Sequence, residues 1–129
     1  MVDMLLELVV VQVADVDRAK AFYTAQAGFV LDHDVQPAPG VRVVQVTPPG
    51  SACSIGFGSG LPVYERDGGP IRDLHLVVTD LDGAIAELRG RGVAVSEPVD
   101  VGGGVRYAGF ADPDGNSYEL QELAWRRGV

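Results

Sequence analysis

The chain is poor in the residues that staple or metallate small folds: its 129 residues include one cysteine, Cys53, and two histidines, His33 and His75. A lone cysteine forms no intrachain disulfide and supplies no thiolate cluster, so a disulfide scaffold and a cysteine-based zinc site are both excluded. Basic residues are also scarce, with 10 Lys plus Arg against 18 Asp plus Glu and a net charge of -8. That balance repels phosphate backbones and anionic membrane surfaces, so nucleic acid is not an expected partner, while a cationic guest is compatible with it. No apolar run reaches the ~20 residues needed to cross a bilayer. The run over residues 4–13 is interrupted by Glu7 and Gln12, has no basic leader and reads as a buried strand. A cytoplasmic protein with no membrane partner is expected.

What is present suits a folded domain, with 47% hydrophobic and 22% charged residues. A β-branched stretch over residues 5–13 predicts a strand, and Asp15 then opens Asp-Val-Asp-Arg-Ala-Lys-Ala-Phe-Tyr, an acidic start suited to a helix N-terminus. Val16, Ala19, Phe22 and Tyr23 share a helix face, and Gly28 stands where the helix should end. Strands are expected over residues 29–35, 41–47 and 53–57, with Pro37, Pro39, Gly40, Pro48, Pro49 and Gly50 as turns.

The pattern then restarts. Asp-x-Asp-x-Ala units begin at Asp15 and Asp80, 65 residues apart, and each follows a β-branched run. The fold class expected is α+β, built of two tandem βαβββ modules: residues 5–58, a linker over 59–70, and residues 71–125. The second module continues through Val93 to Val95, a turn at Gly102-Gly103-Gly104, and strands over 105–110 and 117–123. Helices should cover one sheet face while the other curls into a cup. Alternation puts Val9, Val11 and Val13 under the helix and Leu8, Val10 and Gln12 opposite; likewise Leu74, Leu76 and Val78 pack inward while Asp73, His75 and Val77 look into the cup.

The segments at residues 13–23, Gly28-Phe29, 78–82 and Phe110-Ala111-Asp112-Pro113-Asp114-Gly115-Asn116-Ser117-Tyr118-Glu119-Leu120 resemble the vicinal oxygen chelate superfamily over nearly the whole chain. That superfamily contains glyoxalase I, extradiol dioxygenases, epimerases, fosfomycin resistance enzymes and bleomycin-binding proteins. The resemblance implies one domain of two modules forming a cupped mixed sheet, often working as a homodimer. Its metal-dependent members carry a ligand at the start of each module's first strand and another on each module's last strand. Carried over, those positions are Leu8, a position within Gly56 to Gly58, Asp73 and Glu119, so two of the four lack donor side chains.

Asp73, His75 and Glu119 are the candidate catalytic residues, either around one divalent metal in an oxygen–nitrogen site or, without metal, as a carboxylate–imidazole proton-transfer pair. The plain structural reading has Asp73 beside Arg72, His75 in a half-buried wall and Glu119 neutralised by a neighbour such as Arg106. Val10, Gln12, Gln45, Val77, Arg106 and Gln121 are the candidate ligand-binding residues, Arg106 as a clamp for an anionic group. The Asp112-Pro113-Asp114-Gly115-Asn116 turn reads as structural and too short for a calcium loop. The direction of His33 is open, Cys53 reads as a strand filler, and Trp125 covers either a cup mouth, a dimer seam or its own packed tail. The function expected is binding of a small organic molecule in an apolar cup. The alternatives are a metal-dependent lyase, isomerase or dioxygenase and a bleomycin-resistance-type drug-binding protein.

Overall fold

The computed structural model describes residues 1–123, so Trp125 lies outside the described residues. The chain divides at Gly69/Pro70 into two compact units. In the first, β1 (Leu8–Val10) leads to α1 (Val16–Ala21), a π-helical turn (Phe22–Gln26), and then β2 (Val30–Ala38), β3 (Val41–Thr47) and β4 (Ser54–Ser59). In the second, β5 (Leu74–Val77) leads to α2 (Leu81–Gly90), β6 (Val99–Gly102), β7 (Val105–Ala111) and β8 (Ser117–Leu123). The sheets have orders β1-β4-β3-β2 and β5-β8-β7-β6, and in each the first strand pairs parallel to the last while the other pairings are antiparallel. Each unit is therefore a βαβββ module.

The repeated Asp-x-Asp has a local cause. Its first aspartate caps the helix: Asp15 accepts from the Arg18 N–H and Asp80 from the Gly83 N–H, each at 3.1 Å. Its second aspartate holds an arginine from the module's third strand. Arg42 donates to Asp17 at 2.7 Å and to Asp34 at 3.0 and 2.9 Å, and Lys20 adds a further 2.9 Å bond to Asp34. Arg106 donates to Asp82 through both terminal nitrogens at 3.3 Å and to Glu122 at 3.0 Å. Each arginine thus ties its sheet to the helix that covers it.

The hydrogen bonds from Arg42 and Lys20 hold the Asp34 carboxyl far below the usual carboxylate range. Its contribution to stability is complete above the unfolded pKa near ~3.9 and is lost as pH falls through the depressed folded value. Asp34→Asn is expected to cost about 1 kcal/mol at pH 7 and to flatten the loss of stability on acidification below pH ~4. Urea midpoints measured from pH 6 to pH 2 test this; parallel wild-type and variant curves would remove Asp34 from the acid response.

The core lies between helix and sheet in each unit. Val44, Val46, Ile55, Phe57 and Tyr23 are buried, and the Tyr23 ring stacks on Phe57 with centroids 5.5 Å apart. In the second unit Leu81, Ile85 and Leu88 of α2 are buried, as are Ala108, Phe110, Tyr118 and Leu120 of the sheet, with Phe110 and Tyr118 stacked at 5.1 Å.

Three regions depart from expectation. The strand expected over residues 5–13 is confined to Leu8–Val10, and Met4, Leu5 and Leu6 are exposed rather than buried. Val93 and Val95 are buried but form no strand, and the strand missed lies at Val99–Gly102, where alternating Val99 and Val101 are both exposed. Within the expected linker, Pro62–Tyr64 forms a 3₁₀ turn that belongs to the first unit. The segment around it is bonded to β1 and the chain just beyond it: Arg66 donates to the Val10 carbonyl at 2.8 Å. With the Gln12 amide oriented to satisfy both ends, its nitrogen donates to the carbonyls of Arg66 at 2.8 Å and Tyr64 at 3.2 Å.

Candidate functional site

Because side chains alternate across a strand, the sheet face opposite each helix is set by register. In the second module His75 pairs with Glu119, Val77 with Gln121, and Tyr107 with Gln121, placing these five residues on the face away from α2. On that face an open pocket of about 410 Å³ is lined by Asp73, His75, Tyr107 and Glu119. The His75 ring meets the Tyr107 ring edge-on, with centroids 5.7 Å apart and planes at 83°. The Tyr107 hydroxyl accepts from the Gln121 amide at 3.3 Å. Gly109 leaves the space that Glu119 uses: a Cβ there would lie 3.0 Å from Glu119 Oε1. His75 Nδ1 is 2.8 Å from the Asp73 carbonyl, which fixes the ring against the chain just before β5.

Asp73 is the one non-glycine described residue with positive φ, at 60°, a conformation that aspartate tolerates better than most residues. Its N–H donates to the Ser117 hydroxyl at 2.8 Å. The turn takes Asp73 out of the strand's alternation, so it borders the pocket without stacking in line with His75 and Glu119. Among the described residues no three His, Cys, Asp or Glu side chains gather to hold a metal ion. The expected Asp73–His75–Glu119 ligand set therefore does not fit a metal centre, and the inherited positions in the first module do not add to it. Leu8 lies over Gly56, where a Cβ would sit 3.0 Å from Leu8 Cδ1.

Arg106, expected to clamp a ligand, faces the helix instead. Register pairs it with Glu122, on the helix side, rather than with Glu119. Hydrogen bonds to Asp82 and then Glu122 raise its pKa and commit the guanidinium away from the pocket. Tyr107, which the sequence reading missed, takes the pocket position. Counting by twos from buried Phe110 puts Ala108 and Arg106 under the helix and Tyr107 opposite, so the signal was present.

The first module's candidates are placed differently. Val10 is half-buried, Gln12 is occupied by the 64–66 segment, and the Tyr64 ring lies where a Gly58 Cβ would be, 2.7 Å from it. Burial there raises the Tyr64 pKa. Gln45 donates to Asp32 and Ser54 at 3.3 Å each, and Thr47 is hydrogen-bonded to both Asp32 and Ser54. His33, in register with Gln45, is exposed. Cys53 is half-buried and its thiol points to the Ser54 carbonyl at 3.7 Å.

Among solved structures, TnmS3, an antibiotic binding protein from Streptomyces sp. CB03234, is 37% identical with a TM-score of 0.80, over 96% of this chain and 99% of that one. A glyoxalase/bleomycin resistance protein from the same source is 39% identical with a TM-score of 0.73, over 89% and 97% of the two chains. A superfamily member from Sphaerobacter thermophilus DSM 20745 is 32% identical with a TM-score of 0.77, over 93% and 98%. No curated protein sequence matches the chain. The Glyoxalase family profile matches residues 5–120. With that match joined to the two βαβββ modules, the chain belongs to the Glyoxalase/Bleomycin resistance protein/Dioxygenase superfamily.

Proposed function

We propose that this protein binds a small organic molecule on the open face of its second module and releases it chemically unchanged. The observation that carries this reading is the pocket at Asp73, His75, Tyr107 and Glu119, whose volume of about 410 Å³ falls in the range of small-molecule sites. The 37% identity to a protein described as antibiotic binding supports it. Val77 and Gln121 extend the lining, and the protein works in the cytoplasm as a homodimer. A bleomycin-resistance-type sequestering role is the drug-binding form of the same proposal.

Direct pairing of His75 with Glu119 across β5 and β8 favours a second reading, in which the two exchange a proton with a bound substrate as a lyase or isomerase would require. Equilibrium dialysis of the purified protein against a panel that includes bleomycin, with mass spectrometry of what is recovered, separates the two. Saturable retention of intact compound is expected, weakened at least ~10-fold, about 1.4 kcal/mol, by Tyr107→Ala. Altered compound, with turnover abolished in a folded Glu119→Gln variant, would replace binding by catalysis. Sedimentation equilibrium on the same sample reports twice the 13.6 kDa chain mass if the dimer is correct.

A further inference from the structure

We infer that the molecule recognised by this pocket carries a protonated amine on or beside a flat ring; the inference rests on the binding reading above. Two of the four lining residues are carboxylates, Asp73 and Glu119. Among the described residues neither has an ion-pair partner: the ion pairs of this module run from Arg89 to Glu97, Arg91 to Glu87, and Arg106 to Asp82 and Glu122. The arginine nearest in sequence to the lining ring, Arg106, is turned to the helix side and occupied there. Among the described residues the pocket wall thus carries two carboxylates with no ion-paired cation, within a chain whose net charge is -8.

Three classes of guest meet this site differently. An anion meets two carboxylates and is repelled. Among the described residues a bare divalent ion finds no three donors gathered around one point, as a metal site requires. A protonated amine needs neither a third donor nor fixed coordination, because each N–H can take a carboxylate oxygen at hydrogen-bond distance. The remaining wall is made of rings. His75 and Tyr107 are locked edge to face, His75 by the Asp73 carbonyl and Tyr107 through its hydroxyl by Gln121. Fixed rings offer a flat guest stacking and edge contacts at little entropic cost, and the tyrosine face attracts a nearby cation. Glu119, seated over Gly109, stands on the same face of the sheet as Tyr107, so one guest can meet ring and charge together.

Two probes with the same indole ring and opposite charges test this on the full chain: tryptamine and 3-indolepropionate, titrated separately and followed by backbone amide NMR. Tryptamine is expected to give saturable shifts at His75, Tyr107, Glu119 and Gln121, with a dissociation constant at least tenfold below that of 3-indolepropionate. Glu119→Gln should weaken tryptamine tenfold or more without weakening 3-indolepropionate, and Tyr107→Leu should weaken both. Saturable binding of 3-indolepropionate at these residues with equal or greater affinity would overturn the amine class while leaving the pocket reading in place. Absence of saturable shifts with tryptamine overturns the inference. If neither probe binds and dialysis retains no compound, the binding reading falls with it.

Discussion

Replacing Asn116 by alanine is expected to lower the stability of the second module by about 3 kcal/mol and to loosen the pocket it supports. Asn116 is completely buried and serves both sides of a closed turn. Its amide nitrogen donates to Asp112 Oδ2 at 2.8 Å, and its amide oxygen accepts the Ile71 N–H at 3.0 Å. Alanine would leave the Ile71 N–H without this acceptor and take one donor from a carboxylate that is itself only 5% exposed. A buried group stripped of its partner costs about 1–3 kcal/mol, and more when it is charged.

The same turn positions the site. The Ser117 N–H donates to the Ile71 carbonyl at 2.9 Å and the Asp73 N–H to the Ser117 hydroxyl, so the approach to β5 is pinned to the start of β8 at successive points. Asn116→Ala should therefore weaken ligand retention as well as lower the urea midpoint, with faster hydrogen exchange at Ile71 and Asp73. A loss under about 1 kcal/mol with unchanged exchange would show that the turn anchors nothing; the expected loss follows from the buried-partner cost.

In the first module, Phe57→Ala is expected to remove about 3–5 kcal/mol, the usual cost of cutting a buried phenylalanine to a methyl group. Phe57 has no exposed surface, faces Val44 across the ladder and stacks on Tyr23, which in turn meets Phe22 and Phe29 at 5.3 and 5.4 Å. Ring-to-ring contact around Tyr23 means that one truncation leaves several neighbours without a packing surface. Against a total stability of about 5–15 kcal/mol, that is a large fraction. Phe57→Leu, which keeps most of the volume, should recover more than half of the loss. Urea denaturation of both variants checks this; equal losses would mean that the cavity collapses around either side chain.

Much of the second module was legible because its signals are local. Asp80 caps α2 through a neighbour three residues away, and a period of two puts His75, Val77, Glu119 and Gln121 on one face. The same count, continued back from Phe110, would have exchanged Arg106 for Tyr107; the error came from carrying a pocket arginine across from the family resemblance. Asp73 was harder. Its positive φ interrupts the alternation that assigned it, and nothing in Arg-Asp-Leu-His signals that turn. The 62–66 segment was read as linker because it has no periodicity, and its hydrogen bonds reach back to Val10 and Gln12, more than fifty residues earlier.

Residue order alone specifies the two βαβββ modules, the caps that start their helices and the face on which His75 and Glu119 stand, because hydrogen bonds to near neighbours and strand alternation set all three. That Tyr107 joins Asp73, His75 and Glu119 along one pocket wall, and that Arg106 serves the helix, came from the assembled module instead. Those outcomes depend on which strands become neighbours and on one backbone turn. Such long-range contacts are chosen by packing across the whole module, and local residue order does not specify them.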